Sequence, residues 1–371
     1  MDPNAPAEPA APAASPPSKP GFGEMAPPFT VASDINPEFM LRSLGGTWLV
    51  LMFFGSLGHE PSRLAHERIL ARRALFDDRR AQFFGVSVDP ADKAQRGVRN
   101  ALPGLRYFWD YDQAVSRLYG AVIPGGYAPT AFLIDANLRI VASESISRVD
   151  VLLDRLEAQL LQPAAETPAP VLTVPRVLEP AFCRRLIDLY AAQGGRASGF
   201  MLQVGDQTVA VLDDKVKKRR DVSITDNDLI QGLRARLHRR LIPMIEQAFM
   251  WRATRIERYI VACYSADDAG FFSRHRDNTT LGTAHRRFAV SINLNDDFDG
   301  GDLRFPEFGM RTHRPPAGGA TVFSCSLLHE ATPVTRGVRY ATLPFLYDEA
   351  GAAIRQANAG AVVRLEDAGL E

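Results

Sequence analysis

A Pro/Ala-rich stretch at 162–170, QPAAETPAP, divides this sequence into two halves with different patterns. A run of this composition with no hydrophobic period is typical of a linker between domains. The chain has 371 residues, which is long for a single hydrophobic core. We therefore predict two domains, at 21–161 and 171–350.

The first half alternates strand-like and helix-like segments. Residues 47–54, TWLVLMFF, form a continuous apolar run typical of a strand that is buried on both faces. The segments predicted after it are a helix at 62–82, strands at 82–89, 129–136 and 138–143, and a helix at 149–161. This order predicts an α/β domain.

The second half begins with helices and continues with many short strands. Apolar residues recur at helical spacing in 177–193, and a further helix is predicted at about 226–249. From Ile256 to Tyr347 the apolar segments are short and separated by Gly, Asp and Pro. This pattern predicts a β-sandwich or jelly roll with supporting helices.

The composition excludes several classes of protein and site. Lys+Arg and Asp+Glu both number 43, so no overall field would draw the chain to nucleic acid or anionic lipid. The three cysteines are widely spaced, which argues against a disulfide framework or a zinc-thiolate site and favours a reducing compartment. No apolar run is long enough to span a bilayer, and the N-terminus lacks the pattern of a secretory signal. We expect a cytoplasmic protein.

Three polar or biased segments are predicted to lie outside the packed cores. The Pro/Ala-rich residues 1–20 and the residues 351–371 are interpreted as tails. The charged run at 213–220, DDKVKKRR, is interpreted as a solvated loop, whose basic half could help to recruit an acidic substrate.

The motif His275-Arg276-Asp277 carries the first indication of chemistry. Residues two apart on a strand point to the same face, so the imidazole and the carboxylate can reach one ion. Two ligands do not hold a divalent metal, and His329 is the candidate for the third. Two histidines and one carboxylate leave open coordination positions, as expected for a non-haem Fe(II) oxygenase. Arg339, ten residues after His329, could bind a carboxylate through both arms of its guanidinium.

The segment from about Val174 to Asp348 resembles the prolyl 4-hydroxylase group of Fe(II)/2-oxoglutarate dioxygenases. The resemblance rests on IVACYSADDAGFFSRHRDN, INLND, GGDLRF and PPAGGATVFSCSLLHEATPVTRGVRY. It implies a double-stranded β-helix with supporting helices. It also implies which residues bind the metal and which contact the co-substrate. The residues implied are His275, Asp277 and His329 for Fe(II), and Arg339, Tyr264 and Asn293 for 2-oxoglutarate.

At Asn293 this sequence departs from the group, which often has an aromatic residue there. An amide could still bond the co-substrate. If the C5 carboxylate of 2-oxoglutarate were held by a cation other than Arg339, Arg287 would be the next candidate. The resemblance also implies L-ascorbate as the reductant that keeps the iron in its ferrous state.

The first half resembles a peroxiredoxin of the thioredoxin superfamily. The resemblance rests on GEMAPPFTV, TWLVLMFF, GVSVD, FWDYDQAVSRLYGA and APTAFLIDANLRIV, in that order. That family carries a peroxidatic cysteine at the start of the helix after the TWLVLMFF-type strand, where a helix N-terminus lowers the thiol pKa. Here the turn is GSLGHEPSRL, and no cysteine precedes Cys183. We therefore expect this thioredoxin-like domain to dock a partner or to mediate self-association.

These resemblances imply hydroxylation of an unactivated C–H bond with release of succinate and CO₂. A prolyl or other peptidyl residue and a small molecule both remain open as substrates. A non-catalytic binding or oxygen-sensing module is the alternative from another class. The complete set of His275, Asp277, His329 and Arg339 disfavours that alternative.

Overall fold

A computed structural model of the chain describes residues 19–163 and 166–363. The chain divides into two compact units, with the boundary between Gln162 and Pro163. Residues 1–18 of the predicted N-terminal tail and residues 364–371 of the predicted C-terminal tail lie outside the described residues. Within the part that is described, no helix is long and apolar enough to cross a membrane.

The first unit is built on one seven-stranded sheet in the order β2-β1-β5-β4-β3-β8-β9. Its strands are β1 Thr30–Ser33, β2 Phe39–Met40, β3 Trp48–Gly55, β4 Ala81–Ser87, β5 Leu105–Trp109, β6 Val122–Ile123, β7 Gly126–Tyr127, β8 Thr130–Ile134 and β9 Ile140–Ser145, and its helices are α1 Glu60–Ala71, α2 Pro90–Ala94, α3 Ala114–Leu118 and α4 Val149–Leu160. β3, β4 and β5 are parallel, whereas β8 and β9 run antiparallel to their neighbours.

The apolar run of β3 is explained by burial on both sides of the sheet. Alternate residues join two cores, with Val50, Met52 and Phe54 on one face and Leu49, Leu51 and Phe53 on the other. α1 and α4 cover the first face, and Val115 and Tyr119 pack against the second. This two-sided covering is the thioredoxin-like α/β arrangement that the sequence predicts.

The helix predicted at 62–82 is shorter in the structure. α1 ends at Ala71, and a single 3₁₀ turn leads to the buried Phe76. The carboxylate of Asp77 then accepts hydrogen bonds from the backbone N–H groups of Arg79 and Arg80. A side chain that binds its own downstream backbone in this way favours a turn over continued helix, so the chain enters β4 instead.

The second unit contains two main sheets. Its strands are β10 Leu172–Val174, β11 Arg196–Ala197, β12 Phe200–Val204, β13 Gln207–Val211, β14 Lys217–Lys218, β15 Arg220–Ser223, β16 Arg255–Glu257, β17 Ile260–Ser265, β18 Phe271–His275, β19 Phe288–Asn293, β20 Asp299–Gly300, β21 Leu303–Arg304, β22 Thr312–His313, β23 Ala320–Ser324, β24 His329–Ala331, β25 Val334–Arg336, β26 Val338–Thr342, β27 Phe345–Tyr347 and β28 Val362–Val363, and its helices are α5 Pro180–Gln193, α6 Asn227–Arg236, α7 Ile242–Phe249 and α8 Glu349–Ala357. The larger sheet has the order β10-β23-β19-β26-β17-β15-β11, with β27 pairing both β19 and β16. The smaller has the order β14-β18-β24-β21-β22.

The larger sheet has one face against helices and the other against a cavity. On β17, Val261 and Cys263 pack with α5, α6 and α7, whereas Tyr264 lies on the opposite face. Side chains of β18 and β24, from the smaller sheet, line the same cavity as Tyr264. Two sheets enclosing one cavity form the jelly-roll-type arrangement predicted for this half.

The helix predicted at 226–249 is interrupted. α6 and α7 are joined by one π-helical turn at Leu237–Leu241. Pro243 lies in the first turn of α7 and has no N–H to donate to the preceding turn. The local change of pitch therefore follows from the proline.

The segments predicted as linker and C-terminal tail are partly packed on the second unit. In the linker, the N–H of Thr167 donates to the carbonyl of Phe308, and Ala169 packs against a buried cluster. Residue 351 lies inside α8, which begins after Asp348, whose carboxylate accepts a hydrogen bond from the N–H of Gly351. This N-cap explains why a helix forms where a tail is predicted.

Candidate metal centre

The two candidate histidine ligands lie directly opposite each other on neighbouring strands. β18 and β24 pair antiparallel with His275 in register with His329. Their ring centroids are 4.2 Å apart. Asp277 follows two residues after the end of β18, and its N–H donates to the carbonyl of Cys325. This backbone bond brings the carboxylate to the same side as the two rings.

The three side chains can hold one ion. Nε2 of His275 lies 3.6 Å from Oδ1 of Asp277, and Nε2 of His329 lies 3.3 Å from Oδ2. The ligand atoms all lie within 4.8 Å of one another. Metal–ligand bonds of about 2.0–2.2 Å at right angles would place neighbouring ligand atoms about 3 Å apart. The separations therefore fit a single divalent cation after a small contraction.

Hydrogen bonds to the backbone set the tautomer of both rings. Nδ1 of His275 lies 2.7 Å from the carbonyl oxygen of Ser273, and Nδ1 of His329 lies 3.0 Å from that of Leu327. A carbonyl only accepts, so each Nδ1 carries the proton and donates it. Each Nε2 then presents its lone pair to the centre, as a metal ligand requires.

The electrostatic environment keeps the ligand atoms in their metal-binding forms. Burial lowers the pKa of His275 to about 4, and the neighbouring His329 acts in the same direction. Burial alone would raise the pKa of Asp277, but His329 and His275 lower it well below its ordinary value. At neutral pH the centre therefore offers a neutral imidazole at His275 and a carboxylate at Asp277.

Arg276 lies between His275 and Asp277 in the sequence, and its side chain supports the site from the side opposite these two ligands. Its guanidinium pairs with the buried carboxylate of Glu307 at 2.5 Å. Glu307 also accepts a hydrogen bond from the N–H of Leu328, next to His329. One ion pair thus links the two chain segments that carry the ligands.

Arg339 enters the same cavity from β26 with no acidic partner. It is 2% exposed, and its Nε and Nη2 donate to Asn293 Oδ1 at 3.0 Å and to Ser291 Oγ at 2.7 Å. Among the described residues, no carboxylate lies within ion-pair distance of this guanidinium. A buried cation held only by neutral groups is a suitable partner for the carboxylate of a ligand.

Tyr264 lies opposite Arg339 in the strand pairing. Its ring is 5.4 Å from the Arg339 guanidinium carbon, and its hydroxyl accepts a hydrogen bond from Arg219. The phenol therefore sits between two guanidiniums and faces the cavity.

Asn293, the third residue that the resemblance implies for 2-oxoglutarate, supports Arg339 in the structure. Its Oδ1 accepts from Arg339 and its Nδ2 donates to the carbonyl of Pro315, so both ends of the amide are used within the protein. It is absent from the cavity wall, where Ser291 lies instead. Ser291 and Asn293 are two residues apart on β19 and therefore share a face of the strand. This spacing is the feature of the sequence that could have indicated Ser291.

Three further wall residues were not predicted from the sequence. Phe272 stacks on the His275 ring with centroids 3.5 Å apart, and Arg219 and Arg258 line the same cavity. Arg287, the alternative cation for the co-substrate, lies outside this wall and is directed to Ala284 and Asp348.

The charged run at 213–220 is not a fully solvated loop. Lys217 is 5% exposed and Arg219 is 7% exposed. Arg219 is paired with Asp221, while Nζ of Lys217, whose pKa burial lowers to about 6, donates to the Ser198 hydroxyl and lies 4.9 Å from the centre of the Phe272 ring. Ser198 and Phe272 come from other parts of the chain, so the run of charges alone could not indicate the burial.

In the first unit, the turn that would carry a peroxidatic cysteine is organised around a carboxylate. Asp92 is fully buried and accepts hydrogen bonds from the N–H of Leu57, the hydroxyl of Ser87 and the guanidinium of Arg96. These bonds fix the turn before α1, but a carboxylate cannot replace a thiolate as the nucleophile toward a peroxide.

We expect the full chain, with metal removed by a chelator, not to reduce hydrogen peroxide with dithiothreitol above the rate without protein. All three cysteines are buried in the second unit, and burial raises the pKa of Cys183 to about 11 and that of Cys325 well above its usual value. Peroxide consumption can be followed by absorbance. A rate proportional to protein concentration would contradict this expectation.

Comparison with known proteins finds one family match within each unit. Residues 22–143 match the AhpC/TSA family, and residues 259–347 match the 2OG-Fe(II) oxygenase superfamily. The second match includes His275, Asp277, His329 and Arg339.

Curated relatives match part of the chain. A PKHD-type hydroxylase from Synechococcus sp. is 31% identical over 104 residues, which are 26% of this chain and 45% of that protein. Another from Caulobacter sp. is 29% identical over 182 residues, which are 46% of this chain and 75% of that protein. The chain thus spans about half the length of the first of these relatives.

A solved structure also aligns with part of the chain. It is a prolyl hydroxylase from Trichoplax adhaerens in complex with a hypoxia inducible factor oxygen degradation domain peptide fragment. The TM-score is 0.38 with 19% identity, and the alignment covers 50% of this chain and 86% of that one.

Proposed function

We propose that the second unit, part of which matches the 2OG-Fe(II) oxygenase superfamily, is an iron(II)- and 2-oxoglutarate-dependent dioxygenase that hydroxylates an unactivated C–H bond. The observation that carries this proposal is the placement of His275, Asp277, His329 and Arg339 around one cavity. Three ligands of this kind leave open positions for a chelating co-substrate and oxygen.

The protein's own residues hold and orient the reactants. His275, Asp277 and His329 bind Fe(II), while Arg339, fixed by Ser291 and Asn293, binds the C5 carboxylate of 2-oxoglutarate. Tyr264, which lies on β17 opposite Arg339 on β26, helps to hold the co-substrate. Bound iron supplies the redox chemistry that couples decarboxylation of 2-oxoglutarate, with release of succinate and CO₂, to hydroxylation.

The apolar part of the wall keeps the reaction away from bulk water. Leu303, Phe323, Ala331 and Phe345 face the same cavity as the ligands. Removing water strengthens every electrostatic contact inside the site and limits side reactions of the oxidant. By resemblance to similar hydroxylases, we propose L-ascorbate as the reductant that keeps the iron ferrous.

The substrate we favour is a prolyl or other peptidyl residue, with a small molecule as the alternative. The names of the relatives, PKHD-type hydroxylases, support a hydroxylase of this general kind. For the AhpC/TSA-family domain we propose docking of a protein partner or of a second copy of the chain, because it lacks the thiol of a peroxidase.

An anaerobic titration with Fe(II) and 2-oxoglutarate, followed by admission of O₂, tests the proposed activity. We expect 2-oxoglutarate to bind only when Fe(II) is present, and succinate to form after oxygen is admitted. The control is Asp299→Ala, which removes an exposed carboxylate that pairs with Arg336. Co-substrate binding that is independent of iron, or no succinate from the iron-loaded protein, would exclude this function.

A further inference from the structure

A second guanidinium without an acidic partner lies in the wall of the cavity. Arg258 connects β16 to β17, and it lines the same space as His275, Asp277 and Arg339. In the described residues, no carboxylate lies within ion-pair distance of Arg258. The proposed function assigns Arg339 to 2-oxoglutarate and leaves Arg258 without a role.

The Arg258 side chain is held in place by neutral contacts. Its Nε and Nη2 both donate to the carbonyl of Leu343, at 3.1 and 2.8 Å. Its guanidinium carbon lies 4.4 Å from the centre of the Phe345 ring. Leu343 and Phe345 are themselves wall residues, so the charged group is fixed at the cavity surface with Nη1 left for another acceptor.

The backbone at Arg258 is unusual for a residue with a side chain. Its φ is +68°, in the left-handed region that normally favours glycine. Strain of this kind is found preferentially at residues with a functional task. A glycine would satisfy the backbone but would remove the guanidinium from the cavity.

The neighbouring arginines differ from Arg258 because each has an acidic partner. Arg219 pairs with Asp221, and Arg286 pairs with Glu257. Burial, together with the charges of Arg219 and Arg286, lowers the pKa of Arg258 to about 10, although Asp221 and Asp277 act in the opposite direction. The cavity thus holds a cation that its surroundings disfavour, and a bound anion would stabilise it.

The formal charges of the complete site lead to the same conclusion. In the proposed function, the ferrous ion, Asp277, the 2-oxoglutarate dianion and Arg339 cancel one another. Asp221 compensates Arg219. The charge of Arg258 then remains unbalanced in a partly buried position, where a substrate anion is the missing partner.

We propose that Arg258 binds a carboxylate of the primary substrate, so that the enzyme hydroxylates an acidic molecule or an acidic segment of a protein. This inference rests on the proposed function and adds the substrate's chemical class to it. The carboxylate would accept a hydrogen bond from Nη1 of Arg258, on the wall that also carries the metal ligands.

Matched acid and amide probes test this inference through succinate release. One arm uses N-acetyl amino acids and their amides, and the other uses peptides with internal Asp or Glu and the same peptides with Asn or Gln. We expect acids to stimulate succinate release at least about 10-fold more effectively than their amides, as charge-assisted hydrogen bonds allow. The arm in which this preference appears identifies a free acid or an acidic peptide as the source.

Variants at Arg258 separate recognition from folding. Arg258→Gln keeps a donor for the Leu343 carbonyl but removes the charge, and it should lose the preference for acids through a higher KM. Arg258→Lys should recover part of it, because the charge remains without the planar fork. The control is Arg255→Gln, three residues earlier, where an exposed arginine pairs with Glu349. Thermal unfolding of each variant checks the fold.

A binding measurement gives an answer that does not depend on turnover. With Mn(II) in the metal site and saturating 2-oxoglutarate, acetate bound at Arg258 should show enhanced relaxation of its methyl protons. We expect this enhancement in the wild type and in Arg255→Gln, and its loss in Arg258→Gln.

Several results would overturn the assignment of Arg258. These are amides that stimulate as well as acids, an acid preference that survives in Arg258→Gln, or equal acetate relaxation in that variant and the wild type. If Arg258→Gln instead weakened 2-oxoglutarate binding as strongly as a change at Arg339, Arg258 would hold the co-substrate. Failure of the proposed function is distinct, because it would appear as absence of iron-dependent 2-oxoglutarate binding in the wild type.

Discussion

Substitution of Asp277 by alanine should abolish 2-oxoglutarate turnover. The variant would retain two neutral imidazoles, so a divalent ion would lose both a ligand and the only negative charge among the three candidate ligands. Loss of an outer-sphere partner typically costs about 10–100-fold in metal affinity, and loss of a direct ligand should cost on the order of 100-fold or more. Fe(II) affinity and succinate formation are the two measurements.

The control for Asp277→Ala is Asp299→Ala. Asp299 is exposed and pairs with Arg336 outside the cavity, so iron binding and turnover should be unchanged there. Because Asp277 is partly buried, the folded state of both variants should be compared by thermal unfolding of the metal-free proteins. Iron affinity and turnover at the wild-type level in a folded Asp277→Ala protein would refute the assignment of this ligand.

Substitution of Arg339 by alanine should weaken 2-oxoglutarate binding while sparing the iron. The C5 carboxylate of a co-substrate chelated at the metal would lie among buried groups, where an unpaired charge is strongly disfavoured. A charge-assisted hydrogen bond contributes about 1.5–3 kcal/mol. The apparent dissociation constant of 2-oxoglutarate should therefore rise on the order of 10- to 100-fold.

Two further variants define what Arg339 does. Arg339→Lys should recover part of the loss, because an ammonium keeps the charge but cannot donate to Ser291 and Asn293 in the same geometry. Arg336→Ala, three residues earlier and exposed, should leave the constant unchanged. If Arg339→Ala has a wild-type 2-oxoglutarate constant, another cavity cation, Arg258 or Arg219, holds the co-substrate.

The features that the sequence predicted depend on local periodicity. Residues two apart on a strand share a face, so His275 and Asp277 were predicted to lie together. In the structure β18 ends at His275, and the hydrogen bond from the N–H of Asp277 to the carbonyl of Cys325 positions the carboxylate instead. The apolar run of β3 likewise indicated a strand covered on both sides, and the structure contains one. Periodicity fails where a side chain changes the backbone, as at Asp77 and Pro243, because each acts through a specific hydrogen bond that is gained or lost.

The features that were not predicted depend on partners distant in the sequence. Lys217 and Arg219 are buried, and their partners include Ser198 and Tyr264, which are distant in the sequence. Asn293 supports Arg339 from behind the wall, and only the strand pairing determines which of the two polar residues on that face of β19 reaches the cavity. A single sequence contains no signal for such pairings.

The register of His275 with His329 gives the metal a mechanical consequence. The two residues are about fifty positions apart in the chain, yet they stand side by side on β18 and β24. An ion bound by both residues cross-links two adjacent strands. It also closes the long loop between them, and closing such a loop costs conformational entropy. Part of the free energy of metal binding is then free energy of folding of the smaller sheet. The metal would thus stabilise the sheet that forms part of its own binding cavity.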